Sequence, residues 1–259
     1  MKTIINVTDI ISYLYCPRKV YLKLVKGIKE PPTKQMISGF LKHKIFDIFN
    51  KNESIIVSSI KENLNEEEIQ TLYKQQIVKI TQEAVSIYSN MLKSFSISQQ
   101  ELLNSILEFM EKEINLRVSA IKSSLNLGFR GKELWRELKP KYLTEFSVIS
   151  ENLGLKGRID RVRLEEEILP YEIKTRDEIY ESDKIQLAAY SLLLQEEFGK
   201  KVDKGIVETK TKKQEVELTD EMKDRVLQIA EEIRNMKEAE MPNNFKKCRY
   251  CNSREECFE

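Results

Sequence analysis

Apolar residues recur at helical spacing through the first half of the chain. Within about residues 1–50 the pattern predicts three helices, with a loop at Pro31-Pro32 before the third. They are a helix from about Thr8 or Asp9 to Cys16-Pro17, one carrying Tyr21 to Leu24, and one capped by Ser38 that continues to Ile48. The same spacing continues over residues 51–140, which are rich in Glu, Lys, Gln and Ser. We interpret residues 51–140 as a bundle of amphipathic helices.

After Tyr142 the pattern changes from helical to alternating. The predicted strands are Thr144–Ile149, Leu155–Leu164, Ile168–Thr175, Gly205–Lys210 and Glu215–Leu218. The predicted helices of this part are one capped by Ser182 or Asp183 that ends before Gly199, and one that opens at Thr219 or Asp220 and stops at Pro242. The chain therefore predicts an α/β (α+β) fold in which residues 51–140 form a helical insertion.

Composition removes some classes of protein. The formal net charge of +1 excludes an overall basic nucleic-acid binder, although a local basic groove is enough to hold phosphates. No stretch approaches the ~20 apolar residues of a membrane span, and the N-terminus has no signal-peptide pattern. We therefore expect a cytoplasmic protein without a membrane partner. In that compartment four cysteines favour metal binding or catalysis over disulfides.

Two carboxylates and a lysine lie on neighbouring predicted strands. Asp160 stands in Gly-Arg-Ile-Asp, and Glu172 and Lys174 stand in Glu-Ile-Lys, where a period of two puts them on one face. If the strands form a hairpin, the three side chains converge. Such a group could hold magnesium or manganese and hydrolyse a phosphodiester, with Lys174 orienting water or stabilising negative charge. The alternative is an ordinary solvated strand face.

Three further side chains extend this group. Gln186 and Tyr190 lie four apart on the following predicted helix and share one of its faces, where they could aim a polar edge at the patch. Helix surface and core, respectively, is the alternative interpretation. His43, the single histidine, lies away from the main apolar stripe of its helix and could complete the metal site from the side. Taken by itself, the pattern favours a partly buried histidine satisfied by Asp47 over a metal ligand.

The cysteines are unevenly placed. Cys16 is alone near the N-terminus, whereas Cys248, Cys251 and Cys257 form a C-x2-C-x5-C run near the other end. Four thiolates fit an iron–sulfur cluster or a zinc site, and the lack of two local pairs favours iron–sulfur. Ligation would join the N-terminal helix to the C-terminal tail and couple cluster binding to folding. The alternatives are a buried Cys16 beside a partial zinc knuckle, or a zinc-stabilised helper protein.

In their order and spacing these motifs resemble the RecB-like CRISPR-associated exonucleases, the Cas-four family, over about residues 1–50 and 142–259. The resemblance implies a restriction-endonuclease-like core of the PD-(D/E)-x-K class with a mixed central sheet, formed by residues 1–50 and 141–259. It implies metal ligation by His43, Asp160, Glu172 and the carbonyl of Ile173, with Lys174 as the catalytic lysine. Gln186 and Tyr190 would orient the site and touch DNA, Glu145 would assist, and the four cysteines would hold a 4Fe-4S cluster.

The family resemblance also implies an activity. Its members trim single-stranded DNA ends, often from the 5′ side, and work with the integrase proteins of CRISPR adaptation. We add the hypothesis that the insertion caps the active site and threads a strand, which would favour action on free ends. The alternatives are a structure-specific endonuclease of the same fold and a non-catalytic iron–sulfur DNA-binding subunit of an adaptation complex.

Overall fold

The computed structural model describes residues 2–138, 141–241, 245–249 and 251–258, and it divides into two compact units. The first unit comprises Met1–Pro31 and Tyr142–Glu259, and the second comprises Pro32–Lys141. The sequence had placed residues 32–50 with the core, whereas the contacts assign them to the second unit. The physical reason is that one unbroken helix, Lys34–Ser58, carries this segment. Whether the two units act as core and insertion stays a prediction.

The described residues form six strands and eleven helices. They are β1 (Ile5–Asn6), α1 (Val7–Tyr15), α2 (Pro17–Leu24), α3 (Lys34–Ser58), α4 (Glu66–Ile87), α5 (Ser89–Ser94), α6 (Gln99–Asn126), α7 (Gly131–Glu137), β2 (Tyr142–Ser150), β3 (Leu155–Leu164), β4 (Ile168–Ile173), α8 (Glu181–Phe198), β5 (Lys204–Glu208), β6 (Lys213–Glu217), α9 (Asp220–Arg234), α10 (Phe245–Cys248) and α11 (Arg254–Phe258). Each of the five strands predicted from the alternating pattern is present, with ends that differ by at most two residues.

In the described part of the chain six strands form one mixed sheet, which confirms the predicted fold class. The long strand β3 pairs antiparallel with β2 along one edge. Its other edge pairs in parallel with β1 near its start and antiparallel with β4 near its end. The sheet continues through β5, parallel to β4, to the antiparallel edge strand β6. Helices cover the sheet, because α1, α8 and α9 bury their apolar residues in one core with it.

Close contact between α8 and the sheet depends on a glycine in β3. A Cβ atom built on Gly157 would lie 3.1 Å from Cε1 of Tyr190 and 3.1 Å from Cγ2 of Val7, closer than almost all real Cβ contacts. Leu193 approaches the same position from the next turn of α8. Gly157 therefore allows α8 to bring Tyr190 directly onto the strand that carries Asp160.

Several predicted helix ends need correction. Thr33, not Ser38, caps α3, because its side chain accepts a hydrogen bond from the backbone N–H of Met36 at 3.2 Å. Helix α1 begins at Val7 after Asn6, before the predicted Thr8 or Asp9. Helix α8 begins at Glu181 after Tyr180, and α9 ends at Arg234. The predicted stop at Pro242 lies outside the described residues. Thr219 does cap α9, as predicted.

The second unit is built from α3, α4, α5, α6 and α7, so the helices predicted for this stretch are present. A buried polar group lies between three of them. The Tyr73 hydroxyl donates to Glu53 at 2.8 Å, and Nε of Arg117 lies 3.1 Å from the same carboxylate. Burial, followed by the charge of Glu53, raises the pKa of Tyr73 far above its usual value.

Among the described helices, none is both long enough and apolar enough to cross a membrane.

Candidate active site

The hairpin of β3 and β4 brings the two predicted carboxylates to one place. The antiparallel pairing of β3 with β4 stops at Arg161 and Tyr171. The next position on β3 is Asp160, and the next position on β4 is Glu172. Here a side chain replaces part of the ladder, because Oδ2 of Asp160 accepts a hydrogen bond from the backbone N–H of Ile173 at 2.7 Å. Asp160 is therefore bonded directly to the segment that carries Glu172 and Lys174.

A third carboxylate faces Asp160 from β2. Glu145 lies across from it, between the paired positions Thr144–Arg161 and Phe146–Ile159. Oxygens of Glu145 and Asp160 lie within 4.8 Å of each other. Glu145 has a φ of 49°, a left-handed conformation that costs energy for a residue with a side chain. Nε of Arg158 lies 2.8 Å from Oε2 of Glu145, and this ion pair stabilises the negative charge of the Glu145 carboxylate.

Lys174 continues β4 beyond its last assigned residue. Its backbone N–H donates to the carbonyl of Glu208 at 2.7 Å, which extends the pairing of β4 with β5. Its ammonium donates to Oε1 of Glu172 at 2.6 Å and to Oε1 of Gln186 at 3.0 Å. Burial by itself would lower the pKa of Lys174, but Glu172, and then the charges of Asp183 and Asp160, raise it above its usual value. The lysine is therefore held as a cation.

Helix α8 closes the group from above the sheet. Nε2 of Gln186 donates to the hydroxyl of Tyr190 at 2.8 Å, and that hydroxyl donates to the carbonyl of Arg158 at 2.9 Å. Both side chains are buried, so Gln186 is not ordinary helix surface, whereas the burial of Tyr190 also agrees with a core position. Burial raises the pKa of Tyr190 well above its usual value, and the charges of Glu172 and Asp160 add to this effect. A continuous hydrogen-bonded path thus joins β3, α8 and Lys174.

Asp183 belongs to the same group, although the sequence identified it only as a possible helix cap. Its carboxylate lies 2.5 and 2.6 Å from Nη2 of Arg176 and 3.5 Å from Nζ of Lys174. It also accepts from the backbone N–H of Tyr180 at 2.8 Å. The available signal was its spacing, since Asp183 precedes Gln186 by three residues and shares its face of the helix.

Two predicted ligands are placed less directly. His43 lies on α3 of the second unit, half-buried, with its ring 5.8 Å from the ring of Phe109. Its part in a metal site stays a prediction. Ile173 is buried and donates its N–H to Asp160, and the role of its carbonyl as a ligand also stays a prediction.

The four cysteines are free thiols in the first unit. Cys16 separates α1 from α2, Cys248 ends α10, and Cys257 lies in α11. Burial raises the pKa of Cys248, and the charges of the other three cysteines, Cys16 first, raise it further. No three of these sulfur atoms, all within the described residues, lie within 4.8 Å of one another.

Side chains of the first two helices hold the C-terminal tail. Nε of Arg18 donates to Sγ of Cys257 at 3.3 Å, and Nη1 donates to the carbonyl of Ala239 at 2.8 Å. The hydroxyl of Tyr15 donates to the carbonyl of Lys247 at 3.1 Å. The chain ends thus meet through direct bonds between protein groups.

The chain was compared with known proteins. A curated relative from Leptospira interrogans serogroup Icterohaemorrhagiae serovar Lai (strain 56601), a CRISPR-associated exonuclease Cas4/endonuclease Cas1 fusion, is 26% identical over 124 residues. That match covers 42% of this chain and 23% of the relative, so the chain spans about a quarter of the relative's length. The crystal structure of SSO0001 is 21% identical, with a TM-score of 0.33 over 66% of this chain and 76% of that one. A score of this size does not establish a shared fold.

The model of one protein family matches nearly the whole chain. It is the PD-(D/E)XK nuclease superfamily, and it covers residues 5–258, including both strands of the carboxylate hairpin and helix α8. Membership supports phosphodiester hydrolysis with divalent metal ions. The chain belongs to the PD-(D/E)XK nuclease superfamily.

Proposed function

We propose that this protein is a metal-dependent DNA exonuclease that hydrolyses phosphodiester bonds at single-stranded ends, from the 5′ side. The observation that carries the proposal is the bonded group of Asp160, Glu172 and Lys174 on adjoining strands of a PD-(D/E)XK nuclease. Two acidic side chains and a cation beside them are the groups that phosphodiester hydrolysis requires.

The donor set suits a hard divalent cation such as magnesium or manganese. The oxygens of Glu145 and Asp160 lie within 4.8 Å of each other, so a small side-chain shift is enough to reach the ~4.2 Å or less between two oxygens on one Mg²⁺. We propose Asp160 and Glu172 as the main ligands, joined by His43 and the carbonyl of Ile173, with Glu145 assisting. A bound divalent ion would supply an activated water and polarise the phosphate.

The chain's own residues then divide the remaining tasks. Lys174 presents a positive charge that stabilises negative charge on the phosphate as the bond breaks. Gln186 accepts from Lys174 and donates to Tyr190, so it fixes the direction of the ammonium. Tyr190 anchors this path to the carbonyl of Arg158, two residues before Asp160. Each reacting group is thereby held in position before substrate binds.

We further propose that Cys16, Cys248, Cys251 and Cys257 hold an iron–sulfur cluster of the 4Fe-4S type. Four thiolates provide the donor set of such a cluster, and the bonds from Tyr15 to Lys247 and from Arg18 to Cys257 bring the segment of Cys16 to the C-terminal cysteines. A reducing compartment such as the cytoplasm would keep these thiols available for ligation.

The substrate and partners are proposed from the similarity to the CRISPR-associated exonuclease Cas4/endonuclease Cas1 fusion. We propose that this chain processes DNA with single-stranded ends during CRISPR adaptation and meets the integrase proteins of that pathway. Threading of the strand by the helical residues 51–140 would restrict cleavage to free ends.

End-labelled strands test the activity. The purified protein should degrade linear single-stranded DNA when manganese or magnesium is added, and Glu172→Gln and Lys174→Met should each lower the rate by about 1,000-fold. Iron analysis and visible absorbance of both variants should match the unaltered protein, as a control for folding. Wild-type rates in both variants would contradict the proposal. Rapid cleavage of a closed circular strand would favour the endonuclease alternative and exclude obligatory threading.

A further inference from the structure

A buried aspartate outside the predicted set contacts the proposed active site. Asp183 lies in the first turn of α8 and is 1% exposed. A carboxylate so buried requires compensating charge or hydrogen bonds. Two cations provide it, because Nη2 of Arg176 donates to Oδ1 at 2.6 Å and to Oδ2 at 2.5 Å, and Nζ of Lys174 lies 3.5 Å from Oδ1.

Asp183 also fixes the start of the helix. Its Oδ2 accepts from the backbone N–H of Tyr180, so the residue before α8 cannot move independently of the carboxylate. Arg176 in turn stacks on the ring of Tyr180, with its guanidinium carbon 4.4 Å from the ring centroid. Two residues of the loop between β4 and α8, Arg176 and Tyr180, therefore bind Asp183 directly. Gln186 lies on the same face of α8 as Asp183, one turn later.

The ammonium of Lys174 donates to Glu172 and Gln186, and the carboxylate of Asp183 forms an ion pair with it at 3.5 Å. Glu172 is a proposed metal ligand, so its negative charge would be shared with a cation. Gln186 is neutral and offers only a dipole. Asp183 supplies a full negative charge that belongs to no proposed ligand set, and its own position is fixed by the helix start.

We propose that Asp183 is a positioning residue that holds the ammonium of Lys174 in the direction that catalysis needs and links it to the first turn of α8. This inference rests on the proposed nuclease activity. It assigns to Asp183 no contact with DNA or with a metal ion, so its loss should lower the rate of the chemical step and leave binding of DNA intact.

Asp183→Asn tests the charge apart from the helix start. The amide oxygen still accepts from Tyr180, whereas the negative charge beside Lys174 is lost. For a single-stranded oligonucleotide with saturating manganese, kcat should fall about 10-fold to 100-fold, the cost of a small displacement of a reacting group. KM should stay within about twofold, as expected when ground-state binding is unchanged. Asp183→Glu, which keeps the charge one methylene further out, should recover part of kcat.

Arg176→Met is the matched control, since it removes the other cation from Asp183 and leaves Lys174 and Asp183 together. Its kcat should exceed that of Asp183→Asn. Wild-type kcat in folded Asp183→Asn, or an equal loss in Arg176→Met, would overturn the proposal. If Asp183→Asn does not fold, Asp183→Ser decides, because a serine hydroxyl can still cap the helix but carries no charge, and a wild-type kcat there would also overturn the proposal. Wild-type activity that disappears in Lys174→Met but persists in Asp183→Asn would refute this inference alone and leave the nuclease function standing.

Discussion

The cluster of proposed catalytic side chains in the sheet and the cysteine tail are held in different ways. The cysteine tail is the segment after α9 that carries Cys248, Cys251 and Cys257. Around Asp160 and Glu172 the protein uses backbone pairing of β3, β4 and β5, with α8 packed closely on top. The cysteine tail has two short helices, and Arg18 and Tyr15 attach it to α1 and α2 through side chains. Sheet pairing and core packing form one cooperative unit, whereas isolated side-chain bonds contribute about 0.5–1.5 kcal/mol each.

This contrast suits the two kinds of site. A hydrolytic centre needs its groups oriented before substrate arrives, so a rigid sheet is the better support. A cluster-binding tail gains order from its ligands, because metal binding and folding are coupled. We therefore expect substitutions under the carboxylates to affect the whole first unit, and substitutions at the tail to affect mainly the chain ends.

Of the substitutions that compare the two regions, Gly157→Val should have the largest effect on activity. The added side chain would meet Tyr190 and Val7 at distances that force α8 away from β3. Overpacking of this kind costs about 1–3 kcal/mol of the free energy of unfolding, and a displaced Tyr190 should also lower kcat by about 100-fold. Thermal unfolding and the end-labelled assay measure the two effects. An unchanged melting temperature would show that the contact between helix and sheet is softer than its distances indicate.

A smaller effect on the first unit should come from Cys251→Ser. Loss of one proposed ligand should remove the visible absorbance of the cluster and lower the melting temperature, since ligand binding would no longer contribute to folding. Limited proteolysis should then cut the tail beyond α9 before any strand of the sheet. Ser253→Ala, on the neighbouring turn, is the control and should keep the absorbance, although it loses a hydrogen bond to Glu30. A colourless wild-type protein with bound zinc would favour the zinc alternative.

The same contrast explains what could be predicted from the sequence. Alternation of apolar residues predicted the strands, and a period of two placed Glu172 and Lys174 together, since these are local properties of a strand. The role of Thr33 as the cap of α3 was missed because Ser38 is also a good capping residue, and local patterns cannot choose between them. The partners of Asp183 were missed for a different reason. They depend on how the loop after β4 folds back onto α8, which is a tertiary property.

The smallest effect on activity should come from Arg18→Met. Arg18 donates to Sγ of Cys257, to the carbonyl of Cys257 at 3.3 Å and to the carbonyl of Ala239, so it connects α2 to two points of the tail. Methionine keeps much of the apolar stem but removes all three donors, which should cost about 1–3 kcal/mol of local stability. Faster release of iron to a chelator, with an unchanged kcat, is the expected result.

Because hydrogen bonds to cluster sulfurs also influence the reduction potential, the midpoint reduction potential of the proposed cluster should fall in the Arg18→Met variant. A change in kcat as large as that of Gly157→Val would show that the tail and the sheet are one cooperative unit, and the contrast between them would have to be abandoned.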